Sequence, residues 1–326
     1  MLTIYKTINH TLQEIDDINE KKIWVNMINP TEDEINTVSE KLNIDIDFLW
    51  SALDEEEKSR IDTDEGQVLI LIDIPYAAEV GESPVMYHTI PFAIITTSEV
   101  VVTVSLRSHK FIESITRNKF STYTGKKTRL VLQILLYAAS LYLSYLKRID
   151  DLTEDLEKKL HKTMQNEKII SLLNLEKSLV YFTISLRSNE LVMEKLLRSY
   201  LRKVPDEDSE ITIQILQMFE EDEDLLEDVI TENKQAIEMC DIYAKILSSM
   251  MNAFSSVINN NLNRVMKFLA SVTIVLALPT VVFSFYGMNV QLPWMHNPLA
   301  SLFILIGTGA SMLAGIAILY IKGMFS

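Results

Sequence analysis

FLASVTIVLALPTVVFSFYGMN, residues Phe268 to Asn289, organises the reading of the whole chain. The part from Phe268 to Phe285 carries no charge. As a helix it would be about 27 Å long at ~1.5 Å per residue, close to the hydrocarbon thickness of a bilayer. A helix from Val265 to Tyr286 spans that core comfortably, with Lys267 reaching the interface. The short polar segment Val290 to Pro298 follows, and then a second apolar run from Leu299 to Ile321. No Asp, Glu, Lys or Arg occurs between Phe268 and Ile321. Two adjacent runs of this kind predict a two-helix transmembrane hairpin rather than two buried core helices.

Arg264, Lys267 and Lys322 flank the hairpin on its outer sides, and the connecting segment has only His296. This asymmetry predicts cytoplasmic termini on both sides of a multi-pass cell-membrane (inner or plasma membrane) protein. The start, MLTIYKTINH, has no basic stretch followed by an apolar one, so no cleavable signal peptide is expected. One cysteine, Cys240, excludes an internal disulfide framework and suits a reducing compartment. A net charge of −15 argues against nucleic-acid binding, which needs a basic face. It fits a protein that attracts cations, although ordinary solubility accounts for it equally well.

Residues 1–120 read as a mixed α/β domain. Lys22–Ile28, Val68–Ile74 and Val100–Val104 are short, β-branched strand candidates, with turn signals at Glu65-Gly66 and Gly81–Pro84. Thr31 before Glu32-Asp33-Glu34 is a helix start with acids in its first turn. From Lys126 glycine disappears until Gly287, and apolar residues recur at helical steps, as in Leu130, Ile134, Tyr137, Leu141 and Tyr145. Two long helices are expected, about 126–164 and 167–203, with turns at Gln165-Asn166 and Val204-Pro205-Asp206. A third element runs from near Glu210 into the membrane. Helical pattern this long predicts a long-helix bundle and stalk over 121–264, separate from a compact domain. The remaining divisions are a first span at 265–286, a loop at 287–298, a second span at 299–321 and a tail at 322–326.

Nothing marks an enzyme or an organic cofactor. Gly125-Lys126-Lys127-Thr128 lacks the hydroxyl residue after the first lysine and the upstream glycine that a phosphate-binding loop requires. His10, His88, His109, His161 and His296 show no metal-ligand spacing. The first span instead carries a stripe. Asn252, Ser256, Asn259, Asn263, Met266, Ala270, Thr273, Ala277, Thr280 and Ser284 step by four and three alternately. That period puts one small or polar line along a single helix face. Close helix packing is one explanation for small residues in a membrane. A line that runs from Asn252 to the loop predicts a pore wall. One helix cannot enclose a pore, so several copies with cyclic symmetry are required. Gly307, Ser311 and Gly315 in the second span have the spacing of a close-packing face.

Gly287-Met288-Asn289, preceded by Tyr286 and set between two C-terminal spans, resembles the signature of the CorA family of divalent-cation channels. Trp24 followed by Pro30-Thr31-Glu32-Asp33-Glu34 is similar to the first strand-to-helix passage of that family's cytoplasmic domain. The resemblance implies a funnel-shaped homopentamer in the lipid bilayer that conducts Mg2+ as both transported and regulatory ion. It implies a selectivity filter of Gly287, Met288 and Asn289, with Gly287 ending the helix through its backbone freedom. Pore-facing positions carry over to Asn263, Met266, Leu269, Thr273, Ala277, Thr280, Ser284 and Asn289, and the periodicity adds Asn259. Met266 and Leu269 would form an apolar constriction. Ala277 is smaller than the residue some relatives have there.

The segment Asp206 to Asp228 holds eleven carboxylates and no base. A solvated face accounts for such a run. The resemblance instead makes Asp228 a ligand of a regulatory metal between neighbouring subunits. The expected acidic partner falls on Ser51, with Asp54, Glu55 and Glu56 nearby as substitutes. The loop Val290–Pro298 lacks the acids that some relatives carry, and the tail has only Lys322 where some have a basic cluster. Methionine between Gly287 and Asn289 favours magnesium over zinc. Zinc, cobalt or nickel transport by the same architecture remains an alternative, as does a non-conducting, membrane-anchored ion sensor or scaffold. A scaffold has no need for an axial line of Asn and Thr.

Overall fold

Val68-Leu69-Ile70-Leu71-Ile72 is apolar at every position and every one of its side chains is buried. A strand reads this way only when both faces of its sheet are covered. The computed structural model, which describes residues 1–78, 86–109, 115, 123–162, 166–202, 215–293 and 297–324, shows both coverings. Seven strands make one sheet: β1 (Leu2–Ile8), β2 (Thr11–Ile15), β3 (Ile23–Ile28), β4 (Arg60–Asp64), β5 (Gln67–Ala78), β6 (Met86–Thr96) and β7 (Val101–Ser105). Their order is β2-β1-β3-β7-β6-β5-β4. β3 and β7 run parallel and the other neighbours antiparallel. Glu65-Gly66, with positive φ at both residues, joins β4 to β5 as a tight hairpin.

Two helices cover one face, α1 (Glu32–Leu42) and α2 (Ile46–Trp50). Thr31 and Glu34 close α1 with a reciprocal capping box. Glu34 N donates to Thr31 Oγ1 at 3.3 Å and Thr31 N to Glu34 Oε2 at 2.9 Å. Ile35, Val38, Phe48 and Leu49 pack on Val25, Leu69, Leu71, Ala93 and Val102. The odd-numbered strand positions of β5 therefore face these helices. The even-numbered ones, Val68, Ile70 and Ile72, share the opposite core with α3 (Lys127–Lys162), α4 (Asn166–Arg202) and the first turns of α5 (Glu220–Tyr286). Leu130, Ile134, Ala138, Val192, Leu196, Leu226 and Val229 belong to that core.

This packing corrects the expectation of long helices standing apart from a compact domain. α3 and α4 are the outer layer of an α/β/α sandwich, and Met1–Ser248 forms one compact unit. The second unit, Ser249–Ser326, begins within α5. The expected turns at Gln165 and Val204-Pro205-Asp206, the turn signal Gly81–Pro84 and the start of a helix near Glu210 lie outside the described residues. Asn166 is the first residue of α4.

A buried carboxamide ties α4 to the sheet. β4 pairs with β5 only as far as Leu71, opposite Arg60. Two residues further on, Asp73 N donates to Asn189 Oδ1 and Asn189 Nδ2 donates to Asp73 O, each at 2.9 Å. The side chain thus stands in for the peptide group that the shorter strand does not supply. Ser59 Oγ donates to the same Oδ1 at 3.0 Å, and Tyr142 OH donates to Asp73 O at 3.1 Å. Burial raises the Asp73 carboxyl above the ordinary range.

His109 is buried against the edge of Phe92, with Nε2 3.1 Å from Ser105 Oγ. Burial pushes its pKa down to about 4. The unfolded chain takes up the proton near pH ~6.5 and the folded chain does not until about 4. Stability is therefore constant with respect to this group above ~6.5 and is lost as pH falls from there, by about 3 kcal/mol at most. Thermal midpoints of the detergent-solubilised protein between pH 7.5 and 5 should fall less steeply for His109→Gln than for the parent.

Candidate functional site

Among the described residues, four helices are long and apolar enough to cross a membrane. The most apolar stretches of α3 and α4 bury 50% and 39% of their residues, whereas those of α5 and of α6 (Ala300–Ile321) bury only 11% each. The first two are accounted for by the sandwich. The last two, both within Ser249–Ser326 over the stretches concerned, present Phe268, Ile274, Val281, Phe303, Ile306, Leu313 and Ile318 outward. An apolar exterior of this extent is the surface of a protein solvated by lipid.

α6 runs antiparallel along the end of α5. Leu278 reaches Gly315, where an added Cβ would lie 2.9 Å from Leu278 Cδ1. Ser271 Oγ lies 3.4 Å from the Met324 carbonyl. Towards α6, α5 turns Ser271, Val275, Leu278 and Val282, all buried or half-buried, at steps of four, three and four. α6 answers with Ile304, Thr308, Met312, Gly315 and Leu319. Of the expected close-packing set, Gly315 meets α5 among the described residues. A Cβ at Gly307 would find nothing within 4 Å, and Ser311 is exposed.

The polar stripe is the α6-facing set displaced by two residues. Thr273, Ala277, Thr280 and Ser284 are all exposed. At 100° per residue they lie about 200° round the helix from the buried set. Packing against α6 therefore does not explain them. Asn252, Ser256, Asn259, Asn263, Met266, Leu269 and Ala270 are exposed as well. Thr273 Oγ1 donates to Leu269 O at 2.8 Å and Thr280 Oγ1 to Leu276 O at 2.9 Å. Each hydroxyl proton is spent on its own helix, so the oxygen presents only lone pairs outward, to which water can donate.

α5 ends at Tyr286 without using the freedom of Gly287. That residue has no positive φ, and its N–H closes the helix on Phe283 O at 2.9 Å and Ser284 O at 3.2 Å. The expectation that Gly287 ends the helix through its backbone freedom is thus corrected, since its φ is not positive: the turn begins with Met288, whose N–H reaches back to Phe285 O at 3.3 Å. Met288 and Asn289 are exposed. Asn297 Oδ1 accepts from Leu299 N at 2.9 Å and restarts the chain as α6.

The second predicted cluster is spread over the first unit. Asp228, Asp54, Glu55 and Glu56 are all exposed. Among the described residues, no three His, Cys, Asp or Glu side chains converge as a metal site within one chain. Asp54 Oδ1 accepts from Glu56 N at 3.0 Å, a local turn. Ser51 accepts from Arg60 Nη2 at 3.3 Å, and the same guanidinium pairs with Glu57 and Asp62. Ser271, fully buried between α5 and α6, has no place in the sequence reading because it lies one residue off the stripe.

Comparison with known proteins gives a consistent picture. The family model described as "CorA-like Mg2+ transporter protein" matches residues 19–322. The cobalt/magnesium transport protein CorA of Methanocaldococcus jannaschii is 30% identical over 298 residues, 88% of this chain and 86% of that protein. The complete structure of the CorA magnesium transporter from the same organism superposes with a TM-score of 0.81 at 26% identity, covering 98% of this chain and 96% of that one. The full-length CmaX protein shares the fold, with a TM-score of 0.69 at 14% identity over 98% and 97% of the two chains.

The close approach at Gly315 has a direct consequence. Gly315→Leu should force α6 away from Leu278 and destabilise the pair by roughly 1–3 kcal/mol, the usual cost of overpacking. Gly307→Leu enters open space and should not. Thermal unfolding of the two variants in detergent, side by side, measures the difference.

Proposed function

The chain belongs to the CorA-like Mg2+ transporter family, and from that premise we propose that it is a homopentameric divalent-cation channel lined by α5. The observation that carries this reading is the position of the stripe. Thr273, Ala277, Thr280 and Ser284 turn away from α6 and are exposed among the described residues. Five copies around an axis give each polar line an aqueous lumen, leaving the outward apolar side chains to lipid. The span boundaries are 265–286 and 299–321, with the loop 287–298 outside and both termini in the cytoplasm, as Arg264, Lys267 and Lys322 favour.

Magnesium holds its water tightly and prefers octahedral oxygen ligands. A ring of Asn289 carboxamides selects it as a hydrated ion, accepting hydrogen bonds from coordinated water through neutral carbonyl oxygens. Met288 and Gly287 position that ring. At the other end Met266 and Leu269, 56% and 57% exposed in the single chain, form an apolar constriction that closes by dewetting. An inward divalent ion gains about 4.6 kcal/mol per 100 mV, twice the ~2.3 per charge, so no nucleotide is needed as an energy source. Regulation by internal magnesium would use Asp228 of one subunit with Asp54, Glu55 or Glu56 of its neighbour. Single-chain geometry leaves all four side chains exposed for such a contact. The name of the M. jannaschii relative adds cobalt to the candidate ions.

Liposomes containing the pure protein test the reading. Magnesium should enter along an imposed negative interior potential, with cobalt competing and zinc competing less. Absence of flux in assembled protein would leave a scaffold as the remaining account. Asn289→Ala should abolish uptake without loss of the oligomer, because a methyl ring accepts no hydrogen bond. Met266→Asp should raise the leak at high internal magnesium, since a charged ring stays wet. Unaltered flux in the first variant removes the filter assignment, and an unaltered leak in the second removes the gate.

A further inference from the structure

We propose that Ser271 and the left-handed turn at Gly323 form a latch that fixes the end of α6 to α5 and thereby sets the position of the gate segment. The proposal rests on the reading of Met266 and Leu269 as the gate. α6 ends in a complete Schellman motif. Gly323 has φ +65°, Gly323 N donates to Tyr320 O and Met324 N donates to Leu319 O, each at 3.0 Å. This turn folds the Met324 carbonyl back onto α5. There Ser271 Oγ–H is shared between Lys267 O at 2.8 Å and Met324 O at 3.4 Å.

Several facts set this contact apart from incidental packing. Ser271 is 0% exposed, whereas Thr273, Thr280 and Ser284 on the same helix are all exposed. Leu319, which the turn brings beside Met324, is buried. The pairing of Ser271 with Met324 continues the antiparallel register of Leu278 with Gly315. α6 is therefore held to α5 at two levels, one by steric contact and one by a hydrogen bond. Met266 and Leu269 lie within one and a half turns of Ser271, on exposed faces of the same helix. A rotation of α5 that repositions them must carry the end of α6 with it or break the Ser271 contact. Because Ser271 is fully buried, water competes little for its hydroxyl, and the contact biases the closed-to-open equilibrium by its own strength. Ser271 and Gly323 are positioning residues: neither touches the ion path.

Two substitutions remove the latch by different routes. Ser271→Ala deletes the donor. Gly323→Val makes the left-handed turn costly, whereas Gly323→Asn keeps it, because Asn tolerates that conformation. In liposomes, Ser271→Ala and Gly323→Val should each shift the magnesium concentration that half-closes the pore, in the same direction, by at most about three-fold, the mean strength of an undivided interhelical hydrogen bond in a membrane. The double variant should shift it no further than the larger single one, since both act on one contact. Gly323→Asn should behave as the parent, and cobalt-to-magnesium selectivity should not move in any of them. Additive shifts, or none, overturn the latch. Hydrogen exchange at the Gly323 and Met324 amides provides a readout independent of conduction: Ser271→Ala should speed it. Unchanged exchange overturns the latch even in a protein that conducts normally. A parent protein without flux overturns the channel reading, one whose flux magnesium does not close overturns the gating reading, and in either case the exchange result still decides the latch.

Discussion

A polar side chain on a lipid-facing helix needs a partner, and the last third of α5 is built under that constraint. On the proposed channel reading its outward apolar residues face lipid, and its polar line takes the side opposite α6. Ser271, Val275, Leu278 and Val282 commit one side to α6. Thr273, Ala277, Thr280 and Ser284 then fall opposite, because two residues on a helix carry the chain about 200° round. The pairing of two helices thus determines which surface remains for an axis. Threonine suits that surface, since its hydroxyl proton is satisfied by its own helix at Leu269 O and Leu276 O.

The sandwich gives α5 a rigid beginning. Leu226, Val229 and Ile230 are fixed in the core that also holds Trp24, Ile70 and Phe92 of the sheet. Ala236, Ile237 and Cys240 are buried about two to three turns later. The helix then continues to Tyr286 without a break, including Pro279, whose missing N–H leaves the ladder one bond short. One helix therefore belongs to both compact units.

Much of this was readable in the residues, and the failures have physical reasons. The two long apolar helical stretches at the end of the chain were legible because lack of charge over so long a run has few other meanings. The start of α1 was legible because a capping box is local: Thr31 and Glu34 need only each other. The relation of α3 and α4 to the sheet was not. An amphipathic helix of 3.6 period fits a stalk or a sheet equally, and long-range contacts such as Asn189 meeting the Asp73 backbone, more than a hundred residues away, distinguish them. Gly287 was read through the general habit of glycine at helix ends, but the helix closes there with ordinary φ. Ser271 could not be singled out, since its partner is a backbone carbonyl 53 residues on. Ser51 was noticed as a substitution. Its engagement by Arg60, itself held by Glu57 and Asp62, appears only once β4 is placed.

The central claim is that the face of α5 opposite α6 borders water. Cysteine substitution along α5, followed by a membrane-impermeant thiol reagent during magnesium flux, tests it most directly. The one native cysteine, Cys240, is buried, and burial pushes its thiol up to about 12, so background reaction is small. Cysteines at Thr273, Ala277, Thr280 and Ser284 should react and block flux, while those at Val275, Leu278 and Val282 should not. Reaction without that period, or reaction confined to the α6-facing set, would contradict the account.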